Sequence, residues 1–141
     1  MTLVGWLAAW TGLPLLLAPF GATAVLVFGQ PQSPFSQPAN VFGGYLAAAG
    51  ISVLVLAVFP PVWWAATITV GLVIGVMLLM RVTHPPAGAV PLVAFTTHMP
   101  ADTLFFVVLA GAMCLVGVGV VHHRLPPRIV YPRPLPEQAA E

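Results

Sequence analysis

The segment HPPAGA, residues 84–89, places a histidine and two prolines inside an otherwise apolar stretch of the chain. Proline suits the first turn of a helix, because the backbone N–H that it lacks would have no intrahelical partner there. The segment therefore predicts the start of a short helix, with Thr83 or His84 as its cap. The free donors would be the N–H groups of Ala87 and Gly88, and a glycine has no side chain to block an approaching ion. Since a helix N-terminus carries about half a positive charge, the segment predicts a small-anion site.

A second segment, APFGATAVLVF at residues 18–28, repeats this pattern near the start of the chain. A shift of 67 residues places Pro19, Gly21, Ala22 and Phe28 on Pro86, Gly88, Ala89 and Phe95. The matched residues include the helix breakers, which favours an internal repeat, with units at about 3–59 and 62–121, over the alternative of a chance match. The free donors of the first unit would be the N–H groups of Gly21 and Ala22. Two half-helix N-termini would then face one anion, as broken helices do in membrane transporters.

The composition indicates the environment in which these segments lie. Sixty per cent of the 141 residues are hydrophobic and only 5% are charged, whereas ordinary soluble domains carry about 25% charged residues. The first charged side chain in the sequence is Arg81. We therefore interpret the chain as an all-α integral membrane protein. The lack of a basic patch argues against nucleic-acid binding, and a single cysteine, Cys114, cannot form an internal disulfide.

Four apolar stretches reach or approach the roughly 20 residues that a bilayer-spanning helix needs. They are residues 3–28, 41–59, 62–80 and 103–121, of which the first is interrupted by glycines and prolines. The sequence thus predicts about four transmembrane helices plus two short broken or re-entrant half-helices. Irregular backbone at membrane depth survives only where it is buried in protein or lines a cavity. If residues 15–28 span the membrane separately the repeats are inverted, and if they re-enter the repeats are parallel.

Charges near the C-terminus predict the orientation. Residues 1–123 form the predicted transmembrane domain, and the proline-rich tail at 124–141 is expected to be extended or disordered. Three arginines place this tail in the cytoplasm by the positive-inside rule. With four spans in the cell inner membrane, the N-terminus is also cytoplasmic, and the loops at 29–40 and 81–102 lie on the opposite side. Arg81 is then an exception to the charge rule, and it either snorkels to the interface or attracts the anion.

The remaining polar residues leave few other functions open. His84 is either a helix cap that hydrogen-bonds a loop carbonyl or a residue that gates or contacts the ion, because polar groups at membrane depth are costly and tend to be functional. His98, His122 and His123 are expected at the membrane interface. No metal or cofactor is predicted, since metal ligands must converge and adjacent histidines point apart on a helix. Asp102 is the only acid before the tail, so an enzyme is not expected.

Three motifs, THPPAGAVPLVAF, PFGATAVLVF and SPFSQPANVFGG, together resemble the HPP family, integral membrane proteins named for their His-Pro-Pro sequence. The resemblance covers roughly residues 15–121. It implies a four-helix membrane protein, and some members of the family from chloroplasts and cyanobacteria are nitrite transporters. The candidate site residues that it implies are Gly21, Ala22, Thr23, Ser33, Pro34, Gln37, Pro38, Asn40, Gly43, Gly44, His84, Pro85, Pro86, Ala87, Gly88 and Ala89. The chain has Tyr45 and Val90 where the family often has histidine and threonine, so a polar contact is expected to be missing.

These observations lead to one functional hypothesis and one alternative. The hypothesis is a transporter or channel for nitrite or a similar small inorganic anion, with the anion held at the half-helix N-termini and with His84 and Thr23 as side-chain donors. A chain of this length barely encloses a path, which favours a homo-oligomer. The alternative is a membrane scaffold that does not transport, whose proline-rich tail docks in the aromatic groove of a partner.

Overall fold

The computed structural model of the protein describes residues 2–11, 17–97 and 99–133, and every regular element in those ranges is helical. The elements are α1 (Thr2–Thr11), α2 (Ala18–Ala24) continued by a π-helical turn (Val25–Gly29), a 3₁₀ turn (Pro34–Ser36), α3 (Pro38–Val58), α4 (Trp63–Leu79), a 3₁₀ helix (Pro85–Ala89) continued by α5 (Val90–Thr97), and α6 (Ala101–Arg124). Gly12 and Pro14, two of the predicted helix breakers, lie outside the described residues, as do His98 and residues 134–141.

Helices α3, α4 and α6 cover three of the four predicted spans to within three residues at each end. Two helices of the described chain, α3 with 21 residues and α6 with 24, are long and apolar enough to cross a bilayer. Helix α4, with 17 residues, is shorter but equally apolar along its length. The large side chains Trp63 and Leu79 at its two ends are 78% and 85% exposed, which suits a surface that contacts lipid.

The predicted first span, 3–28, does not form a single helix. Helix α1 ends at Thr11, and α2 begins anew at Ala18 with Pro19 in its first turn. A corresponding break separates α4 from the second short helix. Arg81, in the left-handed region with φ of 56°, ends α4, and Pro85 and Pro86 then begin the 3₁₀ helix. Proline starts both short helices, because it lacks the N–H that a first turn leaves unpaired.

The two short helices run in opposite directions. Phe20 packs on Gly111 of α6 and Val27 on Gly119, so the helix at 18–29 runs parallel to α6. The second short helix starts beside Gly44 of α3 and continues past Ala94, which shares a cavity with Leu56 near the far end of α3. It therefore runs parallel to α3, and α3 and α6 are antiparallel to each other.

This arrangement corrects the predicted sidedness of the loops. The loop at 29–40 lies at the same end of the bundle as the segment that follows α6, because Ser36 contacts Tyr131. We call this the arginine end, and we call the opposite end, where residues 59–62 and Met99 lie, the turn end. The segment 81–102 is not a loop on one side but crosses from the arginine end to the turn end. The prediction failed because a count of four spans does not include the two short helices, and each of these carries the chain toward the other end of the bundle.

The structure describes the predicted proline-rich tail, 124–141, only as far as residue 133. Residues 125–133 form no regular element and pack against the arginine end. The Tyr131 hydroxyl donates to the Ser36 carbonyl at 2.9 Å, and the Gln32 amide donates to the Val130 carbonyl at 2.7 Å. Burial raises the pKa of Tyr131 to about 12, since desolvation disfavours the phenolate.

Candidate functional site

A buried polar network joins the two broken segments of the chain. Thr23 on α2, Tyr45 on α3 and His84 before the second short helix are all fully buried. The Thr23 hydroxyl oxygen lies 2.6 Å from the Tyr45 hydroxyl and 2.8 Å from Nε2 of His84. We call these three residues the hydroxyl–imidazole network. Its members are 61 residues apart in sequence at the widest, and only the meeting of the two breaks brings them together.

The second ring nitrogen fixes the orientation of His84. Its Nδ1 lies 2.8 Å from the carbonyl oxygen of Phe35 in the arginine-end loop. A carbonyl only accepts hydrogen bonds, so Nδ1 carries a hydrogen and donates it. His84 thus occupies the cap position of the 3₁₀ helix and bonds a loop carbonyl, as the first of the two predicted alternatives has it. The contact with Thr23 goes beyond capping, because it ties the two breaks to each other.

A glycine on α3 lets the imidazole approach so closely. A methyl group built on Gly44 would lie 2.7 Å from Cβ of His84 and 3.3 Å from both Sδ of Met77 and the carbonyl oxygen of Val82. At neighbouring Gly43 the same methyl would lie 2.7 Å from Cβ of Val82. Gly43 and Gly44, which the family resemblance implies as site residues, therefore make room for the segment of chain that leads into His84.

One of the predicted free donors is already engaged. The Ala87 N–H donates to the carbonyl oxygen of His84 at 3.0 Å, so the prediction that it is free for an anion is wrong in this structure. The reason is that the segment winds as a tight 3₁₀ helix, whose bonds begin one residue earlier than those of an α-helix. Pro86 and Ala87 are buried at this turn.

Two surface cavities lie at the breaks instead, one lined by residues of both breaks and one by residues of the second break. A cavity of about 520 Å³ is lined by Ala22, Val25, Leu26, Pro85 and Pro86. A second cavity of about 420 Å³ lies between α4 and the second short helix, and its lining includes Thr83, Pro85, Gly88 and Ala89. A methyl group on Gly88 would meet only Ile74, at 3.9 Å, and one on Gly21 would meet nothing within 4 Å. Neither glycine is required by packing.

The predicted loop residues hold the loop and line neither of these cavities. Ser33 caps the 3₁₀ turn by accepting the N–H two residues ahead at 3.3 Å. The Gln37 amide donates to the Ser33 carbonyl at 3.0 Å. The Asn40 amide donates to the carbonyl of Thr83 at 3.2 Å, which fixes the residue immediately before His84. These three side chains therefore position the network rather than enter it.

Charge is separated between the two ends of the bundle. Arg81 follows α4 at the arginine end, so it joins Arg124, Arg128 and Arg133 there and is no longer an exception to the charge rule. The only acid of the described chain, Asp102, lies at the start of α6 at the turn end. It accepts the N–H of Thr103 at 2.7 Å, and its negative charge suits the first turn of a helix. Across residues 2–11, 17–97 and 99–133, no three side chains converge as metal ligands.

Sequence reasoning missed two contributors to this region. Tyr45 was expected to remove a polar contact, but its hydroxyl reaches Thr23 from α3, which corrects that expectation. His123, expected at the interface, is buried and its Nε2 donates to the carbonyl of Val27 at 2.8 Å. The signal available for Tyr45 was its position directly after the paired glycines. Nothing in the sequence distinguishes His123 from exposed His122.

Comparisons with known proteins place the chain in a family. Residues 1–132 match the family described as HPP, transmembrane region. The chain is 27% identical to a transmembrane protein of Dictyostelium discoideum over 90% of its own length and 53% of the relative. It is 38% identical to another transmembrane protein of that organism over 55% of its own length and 26% of the relative.

The chain thus spans about half the length of one curated relative and about a quarter of the other. No solved structure matches it. The family match nevertheless includes both broken segments and the whole hydroxyl–imidazole network. With its apolar helices and its match over nearly the full length, the chain is a membrane protein that belongs to the HPP transmembrane family.

Proposed function

We propose that this protein carries a small inorganic anion, most favourably nitrite, across a membrane as a transporter or channel. The observation that carries the proposal is the contact between Thr23 and His84 at 2.8 Å, which joins two helix breaks inside an apolar bundle. Broken helices at membrane depth mark ion and substrate sites in many transporters. Nitrite is the substrate that the resemblance to transporting family members favours.

The depth of the network supports a functional role. Gly44 is six residues into α3, which is roughly 9 Å along the helix axis at 1.5 Å per residue. Polar side chains at such depth are costly and are rarely kept without a function. A histidine and two hydroxyls supply hydrogen-bond donors there, and the described chain places no carboxylate beside them to repel an anion.

The distribution of arginines supports an orientation. Because the positive-inside rule favours arginine on the cytoplasmic side, we place the arginine end in the cytoplasm. An anion entering from that side would pass Arg81, which is exposed and lies three residues before His84. The free-energy cost of removing a small anion from water is offset first by the charge of Arg81 and then by the hydrogen-bond donors of the network.

The exposed surface at the breaks supports a homo-oligomer. Pro85 and Ala22 line the same cavity and are both exposed, so the place where the two breaks meet reaches the outer surface of one copy. Lipid cannot satisfy any backbone groups that a helix break leaves unpaired. A second copy seated over this surface would cover them and would enclose the two cavities as a path between subunits.

Uptake into proteoliposomes tests the proposal. The wild-type protein is expected to give saturable nitrite uptake above protein-free vesicles, and His84→Ala is expected to abolish it because both ring contacts are lost. His122→Ala is the matched control, since His122 is exposed and lies outside the network. Wild-type uptake equal to that of protein-free vesicles, or full uptake by His84→Ala, would refute anion transport through this site.

The scaffold alternative is less favoured by the contacts of the tail. Residues 125–133 carry most of the proline-rich motif, and they already pack on the protein itself through Tyr131. A partner would have to displace that contact before it could bind the same residues.

A further inference from the structure

The hydrogen bonds around Thr23 require more hydrogens than a neutral network supplies. Its hydroxyl oxygen lies 3.1 Å from the Pro19 carbonyl, 2.6 Å from the Tyr45 hydroxyl and 2.8 Å from Nε2 of His84. A hydroxyl has one hydrogen to donate and two lone pairs that accept. The Pro19 carbonyl only accepts, so if Thr23 donates to it, both Tyr45 and His84 must donate to Thr23.

This condition links the charge of the imidazole to the direction in which the Thr23 hydroxyl points. Nδ1 of His84 already carries a hydrogen, because it faces the Phe35 carbonyl at 2.8 Å. If Nε2 also donates, to Thr23, then both nitrogens are protonated and His84 is an imidazolium cation. If His84 is neutral, Nε2 must instead accept the hydrogen of the Thr23 hydroxyl. The contact between that hydroxyl and the Pro19 carbonyl is then not a hydrogen bond. The same heavy-atom positions thus fit two states that differ by one proton.

We infer that His84 binds a proton together with the anion, so that the protein moves one proton with each anion. The inference rests on the proposed function. A charge buried without a counter-charge is costly, and the anion supplies that counter-charge when it reaches the network. Because the coupling is reciprocal, a protonated His84 binds the anion more tightly and a bound anion holds the proton.

The groups around His84 do not supply a competing charge. The neighbours that contact it are Thr23 from α2, the Phe35 carbonyl from the loop, and Gly44 and Tyr45 from α3. Tyr45 is the one titratable side chain among them, and its hydroxyl is engaged by Thr23. Met77 of α4, which lies beside Gly44, is uncharged. Arg81, the nearest charged side chain in sequence, is exposed.

The step involves only a proton and a hydroxyl rotation. A proton from water on the loading side binds to Nε2, and the Thr23 hydrogen turns from Nε2 to the Pro19 carbonyl. On the other side the proton returns to water, and the hydroxyl hydrogen turns back. No bond between heavy atoms forms or breaks.

Simultaneous measurement of anion and proton uptake tests the inference. Proteoliposomes with an enclosed pH dye receive nitrite, while potassium and valinomycin set the membrane voltage and protein-free vesicles correct for permeation of nitrous acid. We expect one proton per anion, no response to voltage, and initial rates that rise by up to about tenfold per pH unit of inward gradient, because the protonated fraction follows the proton concentration.

Two outcomes separate this inference from the proposed function. Protein-dependent nitrite uptake that follows voltage and moves no protons overturns the inference and leaves anion transport standing. Absence of protein-dependent uptake refutes both. His84→Gln keeps an amide that can bond Phe35 but cannot bind a proton, so any uptake that it retains should respond to voltage and not to pH. An unchanged response to pH in His84→Gln also overturns the inference, and exposed His122→Gln should keep the wild-type ratio.

Discussion

Substitution of Gly44 by alanine tests whether α3 holds His84 in place. The added methyl group would lie 2.7 Å from Cβ of His84, and the Val82 carbonyl and Met77 leave it no other room, at 3.3 Å each. Real Cβ contacts are not this short, so the chain before the second short helix must shift. Overpacking of this kind costs about 1–3 kcal/mol. At about 3 °C per kcal/mol for a chain of this size, the midpoint of thermal unfolding should fall by about 3–9 °C.

The assay is thermal unfolding in detergent, followed by tryptophan fluorescence, together with nitrite uptake by the same variant. Gly50→Ala is the matched control, because Gly50 lies on the same helix and a methyl group there meets nothing within 4 Å. Alanine is favoured over glycine in a helix by about 1 kcal/mol, so the control should be equally or more stable. If Gly44→Ala unfolds at the wild-type temperature and retains uptake, then the close approach of His84 to α3 does not determine the site.

Three further substitutions give distinct outcomes. Arg81→Gly relieves a left-handed backbone at φ of 56°, which costs residues other than glycine about 1–2 kcal/mol. The unfolding temperature should therefore rise by a few degrees, while nitrite uptake falls with the loss of charge. A raised unfolding temperature with unchanged uptake would exclude the electrostatic role. Gly88→Ala should slow uptake without lowering stability, because its methyl group meets only Ile74, at 3.9 Å. Gly71→Ala, whose methyl group meets nothing within 4 Å, should neither lower stability nor slow uptake. Tyr131→Phe leaves a buried loop carbonyl unpaired, at a cost of about 1–3 kcal/mol, and should speed tryptic cleavage after Arg128. Because the pKa of Tyr131 is raised to about 12, the stability that Tyr131 contributes to the wild-type protein is present below pH 10 and is lost as the pH rises through 12. The stability of Tyr131→Phe should therefore fall less between pH 10 and pH 12 than that of the wild-type protein.

The sequence was sufficient to predict the helix breaks and the class of the protein. Pro19 and Pro86 each lie in the first turn of a short helix, because the chemistry of proline at a helix start is local. The long apolar runs predict α3 and α6 for the same reason, since length and hydropathy need no knowledge of neighbours. Local rules therefore located the two breaks.

The sidedness of the loops required tertiary information. The positive-inside rule orients one end of the chain, and the sides of the other loops then follow from the number of spans. A helix as short as Ala18–Gly29 is not counted as a span of its own. Its passage nevertheless reverses the direction of the chain, which moves the loop at 29–40 to the arginine end. Once Tyr131 is placed on that loop, Arg81 agrees with the rule that it had seemed to violate.

The hydrogen-bond partners of the polar side chains could not be predicted from the sequence either. Asn40 belongs to a motif that implies a substrate contact, but its amide bonds the carbonyl of Thr83, 43 residues away. Tyr45 replaces a family histidine and still supplies a hydroxyl to Thr23. Hydrogen-bond geometry between distant segments depends on how the helices pack, and the type of residue at a position does not determine it.

The most direct test of the central claim is whether the anion occupies the surface of the second break. In a chain with Cys114→Ala, the variant Gly88→Cys places a thiol in the cavity between α4 and the second short helix, where a side chain has room. The rate at which a charged methanethiosulfonate reagent modifies that thiol is measured in proteoliposomes with and without nitrite, with Gly71→Cys as the control. We expect nitrite to slow modification of Gly88→Cys and to leave that of Gly71→Cys unchanged. Equal rates for Gly88→Cys with and without nitrite, in vesicles that transport nitrite, would contradict the central claim.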